Sequence, residues 1–445
     1  MRLETVPGCS GEMRSFQPRQ VGLSKGMTLA GCIILALILG RWAAQLWLEQ
    51  LNRKHVQDHG RAIPASFAGI LDEATYAKSV EYTLAKGRLS RFEDTYRAVL
   101  LALVLFSGAL PAAMAGFRAH AGISAWTDAA FLVAAGVALS LFSLPVDWYE
   151  QFRLEQQFGF NTSTQKTWWL DHLKSCLLSL ILGYPVVVVI LKFVEWTGSR
   201  WWLWAWCAVL GFQLLLAVLA PVIILPLFNK FTPLPDGPLR DRLLGLAQKT
   251  RFRTGNIQVM DSSRRSRHSN AFFTGFGRFR KIVLFDTLVQ QLTERELESV
   301  LAHEIGHFQK KHIPRILARS AVGSLAGFYA VSILARQSWF YQAFGFQPGN
   351  IPAALLLFGL MAGVVLFWLQ PLAHWWSRRY EYEADAFAAG VMGETESLIG
   401  ALRKLNEKNL SNLTPHPWYS GFYYSHPTLL ERERALMEGI APSMP

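Results

Sequence analysis

Two histidines four residues apart with a glutamate beside the first, His303-Glu304-Ile305-Gly306-His307, are the residues of this sequence best suited to chemistry. On an α-helix, positions i and i+4 lie on one face, so the two imidazoles can converge on a single cation. Glu304 then stands beside the ion without binding it and is free to take a proton from an attacking water. The pattern points to one Zn2+ per chain, held by His303 and His307, with Glu304 as general base in the hydrolysis of a peptide bond. No arrangement of Ser or Cys suggests a nucleophile of its own, which agrees with a mechanism lacking a covalent intermediate.

Such a pair needs a helix to carry it and a third ligand to complete it. Thr293-Glu294-Arg295-Glu296 reads as a capping box, so a helix is predicted to begin at 294, with Leu297, Val300, Leu301 and Ile305 at helical spacing. A partner helix is predicted in Ser377-Arg378-Arg379-Tyr380-Glu381-Tyr382-Glu383-Ala384-Asp385-Ala386-Phe387. Glu381 and Asp385 share one of its faces, while Glu383 points away by about 200°. Glu381 is therefore the expected third ligand, and Asp385, one turn on, is set to accept the free N–H of a ligating histidine. Between 229 and 313, Asp236 to Thr250 reads as helix, Ile257 to Met260 and Lys281 to Phe285 as short strands, and Ser269 to Gly277 lies between those strands.

The rest of the chain is what a membrane would hold. Of 445 residues 51% are apolar, gathered into seven blocks at 27–48, 96–117, 127–148, 173–195, 201–228, 314–335 and 350–375. Each is near the roughly 20 residues that a helix needs to cross a bilayer. The first, which contains Arg41 and Trp42, reads as an uncleaved anchor rather than a signal peptide, and 1–26 as an N-terminal extension. The expected domains are transmembrane helices 1–5 in 27–228 with an amphipathic helical loop at 49–95, the protease region 229–313, helices 6–7 in 314–375 and a helical region 376–445. Lys and Arg concentrate in 49–95, 229–313 and 376–445, which puts these on the cytoplasmic side and with them the active site. That topology also accounts for the net charge of +12, so no nucleic-acid partner is expected. Cys9, Cys32, Cys176 and Cys207 show no spacing for a disulfide framework or a metal site.

The motifs HEIGH at 303–307, SRRYEYEADAFA at 377–388, NAFFTGF at 270–276 and KIVLFDTL at 281–288 together resemble the type I CAAX prenyl proteases. FGFNTST at 158–164 and YSHPTLLER at 424–432 extend the resemblance over nearly the whole chain. It implies a mostly α fold: seven transmembrane helices enclosing a large chamber, with a cytoplasmic α+β zinc metalloprotease domain bearing a small sheet. It implies Glu381 as the third ligand and Asp385 behind it, His426 as a donor steadying the oxyanion, and Arg432 assisting nearby. Asn270, Ala271, Phe272 and Phe273 match an edge strand along which an extended substrate is laid. The expected partners are then a peptide or protein substrate, prenylated or otherwise membrane-delivered, and membrane lipid, and the protein is expected to be a monomer. Residues 1–26 lack a counterpart and the C-terminal end lacks a basic retrieval signal, so a bacterial inner membrane is expected in preference to the endoplasmic reticulum. The competing readings are a quality-control zinc protease of the heat-shock type and a non-catalytic zinc-containing membrane sensor. Glu304 argues against the sensor, because a structural zinc site has no use for a general base.

Overall fold

The computed structural model describes residues 27–64, 67, 71–252, 257–274 and 281–439. Among these residues, five helical segments are long and apolar enough to cross a membrane: Leu29–His59, Ala125–Phe158, Gln165–Phe228, His312–Leu334 and Ile351–Met392. Glu73–Phe106 and Ala109–Ala121 together make a sixth if counted as one span. Only 6% of the apolar window in Gln165–Phe228 is buried within the protein, and Ile181, Leu215, Val218 and Val222 point outward. Apolar area left in water forfeits about 25 cal/mol per Å², so these faces need lipid around them.

One of the predicted blocks takes a form that hydropathy does not reveal, and two others, 173–195 and 201–228, join into one helical stretch broken between them. Block 96–117, expected as a single span, is bent by 53° between Phe106 and Ala109. The backbone cause is Gly108, whose φ of 76° lies in the left-handed region and ends one helix before the next can start. Gln165–Phe228 is a 64-residue stretch, about 96 Å if straight, which no single crossing accommodates. It is interrupted at Gly198–Arg200, and Trp201–Leu219 packs against Gln165–Thr197. Residues 49–95 belong largely to the polar ends of Leu29–His59 and Glu73–Phe106, which pack together.

Beyond Phe228 the chain changes character and builds a core of the soluble kind. Strands β1 (Phe231–Pro233), β2 (Ile257–Met260), β3 (Ala271–Thr274) and β4 (Lys281–Phe285) form one sheet in the order β1-β2-β4-β3. β2 and β4 run parallel; the two outer strands pair antiparallel to them, with Phe272 opposite Val283 and Phe273 opposite Ile282. Ile257, Ile282 and Leu284 of the sheet bury themselves against Leu297, Leu301 and Ile305 of the helix Glu294–Gln309. That helix packs on its other side against Gln370–Met392, and Glu396–Lys408 closes the core from behind. β3, at the sheet edge, lies against Glu294–Gln309.

Candidate metal centre

The helix Glu294–Gln309 starts where its cap requires. Thr293 Oγ1 accepts from Glu296 N (3.3 Å), and Glu296 returns a carboxylate oxygen to Thr293 N (2.8 Å). Lys404 then pins Glu296 from Glu396–Lys408 at 2.7 Å. Ten residues after the cap comes His303, on the face turned toward Gln370–Met392. The two helices meet at Gly306: a Cβ there would stand 3.0 Å from both Cα and O of Ala384, so a side chain at 306 would push them apart. Gln370–Met392 continues Ile351–Leu366 through the single turn Phe367–Leu369, and Tyr380, Glu381, Ala384, Asp385 and Ala388 form its buried face.

This contact gathers three donors. His303 Nε2 and His307 Nε2 are 3.1 Å apart, and Glu381 places Oε2 3.5 Å from the first and Oε1 3.4 Å from the second. Ligands bonded at 2.0–2.1 Å to one tetrahedral ion stand about 3.3 Å from each other, so the triangle has the dimensions of a zinc site. Glu381 is 4% exposed, and its Oε2 has no hydrogen-bond partner among the described residues. A buried carboxylate oxygen without a partner is costly unless a cation satisfies it. The donor set of two imidazoles and a carboxylate thus fits zinc.

Behind the triangle, His303 Nδ1 donates to Asp385 Oδ1 at 2.7 Å, and Arg432 clamps the same carboxylate through Nε to Oδ2 (2.8 Å) and Nη2 to Oδ1 (2.6 Å). Arg432 is brought there by the short helix Leu429–Glu438, itself capped by Thr428 and Glu431. Burial opposes charge on His303, but its hydrogen bonds to Asp385 and Glu381 outweigh this and raise its pKa to about 10 in the metal-free protein. Burial also raises Glu304, with the neighbouring Glu381 adding to the effect against the two histidines, which moves this carboxyl toward the range useful to a general base.

Two regions of the chain match known family models, residues 52–230 that of the CAAX prenyl protease N-terminal part with its five membrane helices, and 233–440 that of peptidase family M48. CAAX prenyl protease 1 of Saccharomyces cerevisiae is 36% identical over 402 residues, covering 84% of this chain and 88% of the yeast protein. The chain belongs to the CAAX prenyl protease family. The Homo sapiens homologue is 30% identical over 456 residues, 90% of this chain and 94% of that protein. The crystal structure of S. mikatae Ste24p superposes with a TM-score of 0.84 at 33% identity, over 92% of this chain and all of the other. The protein is accordingly a multi-pass membrane zinc metallopeptidase of the CAAX protease type.

The other residues singled out from the sequence fall around the triangle at different distances. His426 is exposed, yet its Nε2 lies 3.4 Å from Glu381 Oε1, with Ser425 Oγ 3.0 Å from its Nδ1. It borders a polar cavity of about 700 Å³ that extends to Tyr82, Lys86 and Asn409. Arg432 is buried against Asp385 and borders that cavity too. Asn270 precedes β3 and is exposed; Ala271 to Phe273 lie within the strand, where Phe272 packs edge-on to Phe285. The last two residues of NAFFTGF, 275 and 276, lie outside the described residues. FGFNTST supports the approach to β3: Thr162 N donates to Arg265 O, Arg267 N donates to Phe160 O, and Asn161 bridges to Ser266.

Sequence reasoning passed over the partner of the second histidine. His307 Nδ1 lies 2.9 Å from His312 Nδ1, and His312 Nε2 lies 3.1 Å from Glu383 Oε2. Glu383 does face away from the triangle, as helix geometry predicted, but it faces His312. A separation of five residues is off the i+4 face. Contact is restored because the helix ends and Lys311, with a φ of 56°, turns the chain back.

Proposed function

We propose that this protein hydrolyses a peptide bond near the C-terminus of prenylated or other membrane-delivered proteins, at one zinc held by His303, His307 and Glu381. The observation carrying this reading is the triangle of donors within 4.8 Å, assembled from a soluble-type helix and the continuation of an apolar one. Zinc bound there would act as a Lewis acid on the scissile carbonyl and would acidify a water molecule beside it. Glu304 takes the proton from the attacking water and delivers it to the departing amine, a role suited to its raised pKa. His426, on the open side of Glu381, donates toward the oxyanion as negative charge develops. Asp385 and Arg432 hold His303 with its Nε2 pair turned into the site. The edge of β3, from Asn270 to Phe273, pairs with the main chain of an extended substrate, giving affinity without demanding one sequence.

The same reading gives seven crossings, the two arms of Gln165–Phe228 and the bent pair each being counted, with the active site on the cytoplasmic side. An apolar recess of about 1130 Å³ lined by Ile33, Leu37, Gly327, Val331, Phe358 and Val365 favours a lipidated client by giving its chain a place among the membrane helices. All donors come from one chain, so a monomer suffices. The test is hydrolysis by detergent-purified protein of a farnesylated peptide, its unfarnesylated match and unfolded casein, each with and without chelator. Chelator-sensitive cleavage favouring the farnesylated peptide is the expected outcome. Equal cleavage of the matched pair would remove the lipid from the reading, and preference for casein would move the enzyme to quality control.

A further inference from the structure

We infer that His312 is the positioning residue for the second zinc histidine, holding His307 through an imidazole relay anchored on Glu383. The inference rests on His307 being a zinc ligand. The protons in this chain of contacts are fixed by its outer end. Glu383 receives Arg315 Nη1 and Arg379 Nε, each at 3.4 Å, so it stands among cations that keep it an ionised acceptor. His312 is 1% exposed, and such burial favours a neutral ring, so its Nε2, 3.1 Å from Glu383, is the donor and its Nδ1 the acceptor. Facing that acceptor at 2.9 Å, His307 Nδ1 must carry its proton, and the lone pair of His307 is left on Nε2, directed at Glu381 and His303. One forced assignment after another ends in the tautomer that zinc requires.

The relay is built rather than incidental. His312 is 1% exposed, its ring stacks on Tyr380 at 4.2 Å, and Arg319 holds the Tyr380 hydroxyl at 2.6 Å. Tyr380 and Glu383 lie on the same helix as the third ligand. That helix therefore serves the site three times: Glu381 toward the metal, Asp385 behind His303 and Glu383 behind His312.

A purely structural role for His312 would lie in its stacking, so the decisive variants separate shape from hydrogen bonding. His312→Phe keeps a ring on Tyr380 and loses the acceptor; His312→Asn keeps an acceptor where Nδ1 stands and loses the ring. The full chain is loaded with zinc in detergent, and the release of zinc to a colorimetric chelator is timed, alongside the thermal midpoint of each metal-free protein. Outer partners of zinc histidines typically change metal affinity by about 10- to 100-fold. The expected result is release at least about tenfold faster for His312→Phe with an unchanged metal-free midpoint, near wild-type release for His312→Asn, and an intermediate rate for Glu383→Ala. Wild-type release from His312→Phe, with rapid release from His307→Ala, would overturn the relay and leave the zinc site standing. Wild-type release from His307→Ala would overturn the zinc site and the relay with it. If His312→Phe does not fold, Glu383→Ala decides: faster release supports the relay, and an unchanged rate overturns it.

Discussion

The two helices that face each other across the metal centre are made differently. Glu294–Gln309 belongs to the core around the small sheet, with a reciprocal cap at its start and Leu297, Leu301 and Ile305 buried beneath it. Gln370–Met392 has no side-chain cap; it inherits its direction from Ile351–Leu366 and buries a polar face instead, including Glu381 and Asp385. The first is held in place by packing, the second by what it grips. In the proposed mechanism a soluble-type helix supplies the base and two imidazoles, while the continuation of a membrane helix supplies charge. Apart from the two histidines themselves, substitutions on the first should therefore change chemistry or folding, and those on the second should change metal retention.

The largest effect expected is on the first helix. Glu304→Gln keeps its zinc but loses roughly 10³-fold in kcat for peptide hydrolysis, measured with a fluorogenic substrate alongside metal analysis. A variant retaining full activity would remove the base from the mechanism. On the second helix, Glu381→Ala should purify with little zinc, and Asp385→Asn should weaken zinc binding by about 10- to 100-fold in chelator competition. Equal zinc retention by these variants and wild type would break the contrast between the helices.

Acidity sharpens it further. His303, pushed up to about 10 by Asp385 and Glu381 against the opposing effect of burial, holds a proton in the metal-free site at neutral pH, which zinc must displace. Apparent zinc affinity should then fall by about tenfold for each unit of pH lowered between 9 and 7, a slope that titration calorimetry at several pH values would record. Where the helices touch, Gly306→Ala should cost about 1–3 kcal/mol of stability by overpacking against the Ala384 backbone, read from denaturant unfolding. Smallest is Thr293→Ala, worth about 1 kcal/mol through loss of the cap.

The contrast also governs what could be read from the residues alone. The start of Glu294–Gln309 was legible because a capping box is a signal of four residues, and strands at 257–260 and 281–285 because their apolar runs are short and bounded. The shared face of Glu381 and Asp385 followed from helix geometry, although their distances from His303 did not. The His312 contact was hidden because it depends on the backbone turn at Lys311, which no periodicity records. The bend at Gly108 escaped for the same reason: a hydropathy window averages side chains and is blind to φ. Arg432 reaches the site from 47 positions beyond Asp385, a closure set by tertiary packing.

Mounting Glu381 on the prolongation of an apolar helix also sets an altitude. Trp375 and Trp376, side chains of the kind that settle at the bilayer boundary, precede Glu381 by five or six residues, about 8 Å along the axis at 1.5 Å per residue. On the proposed function, a post of that length would act as a ruler standing on the membrane: its height above the lipid would select the bond to be cut, and a chain anchored at one end would be measured before its sequence is read.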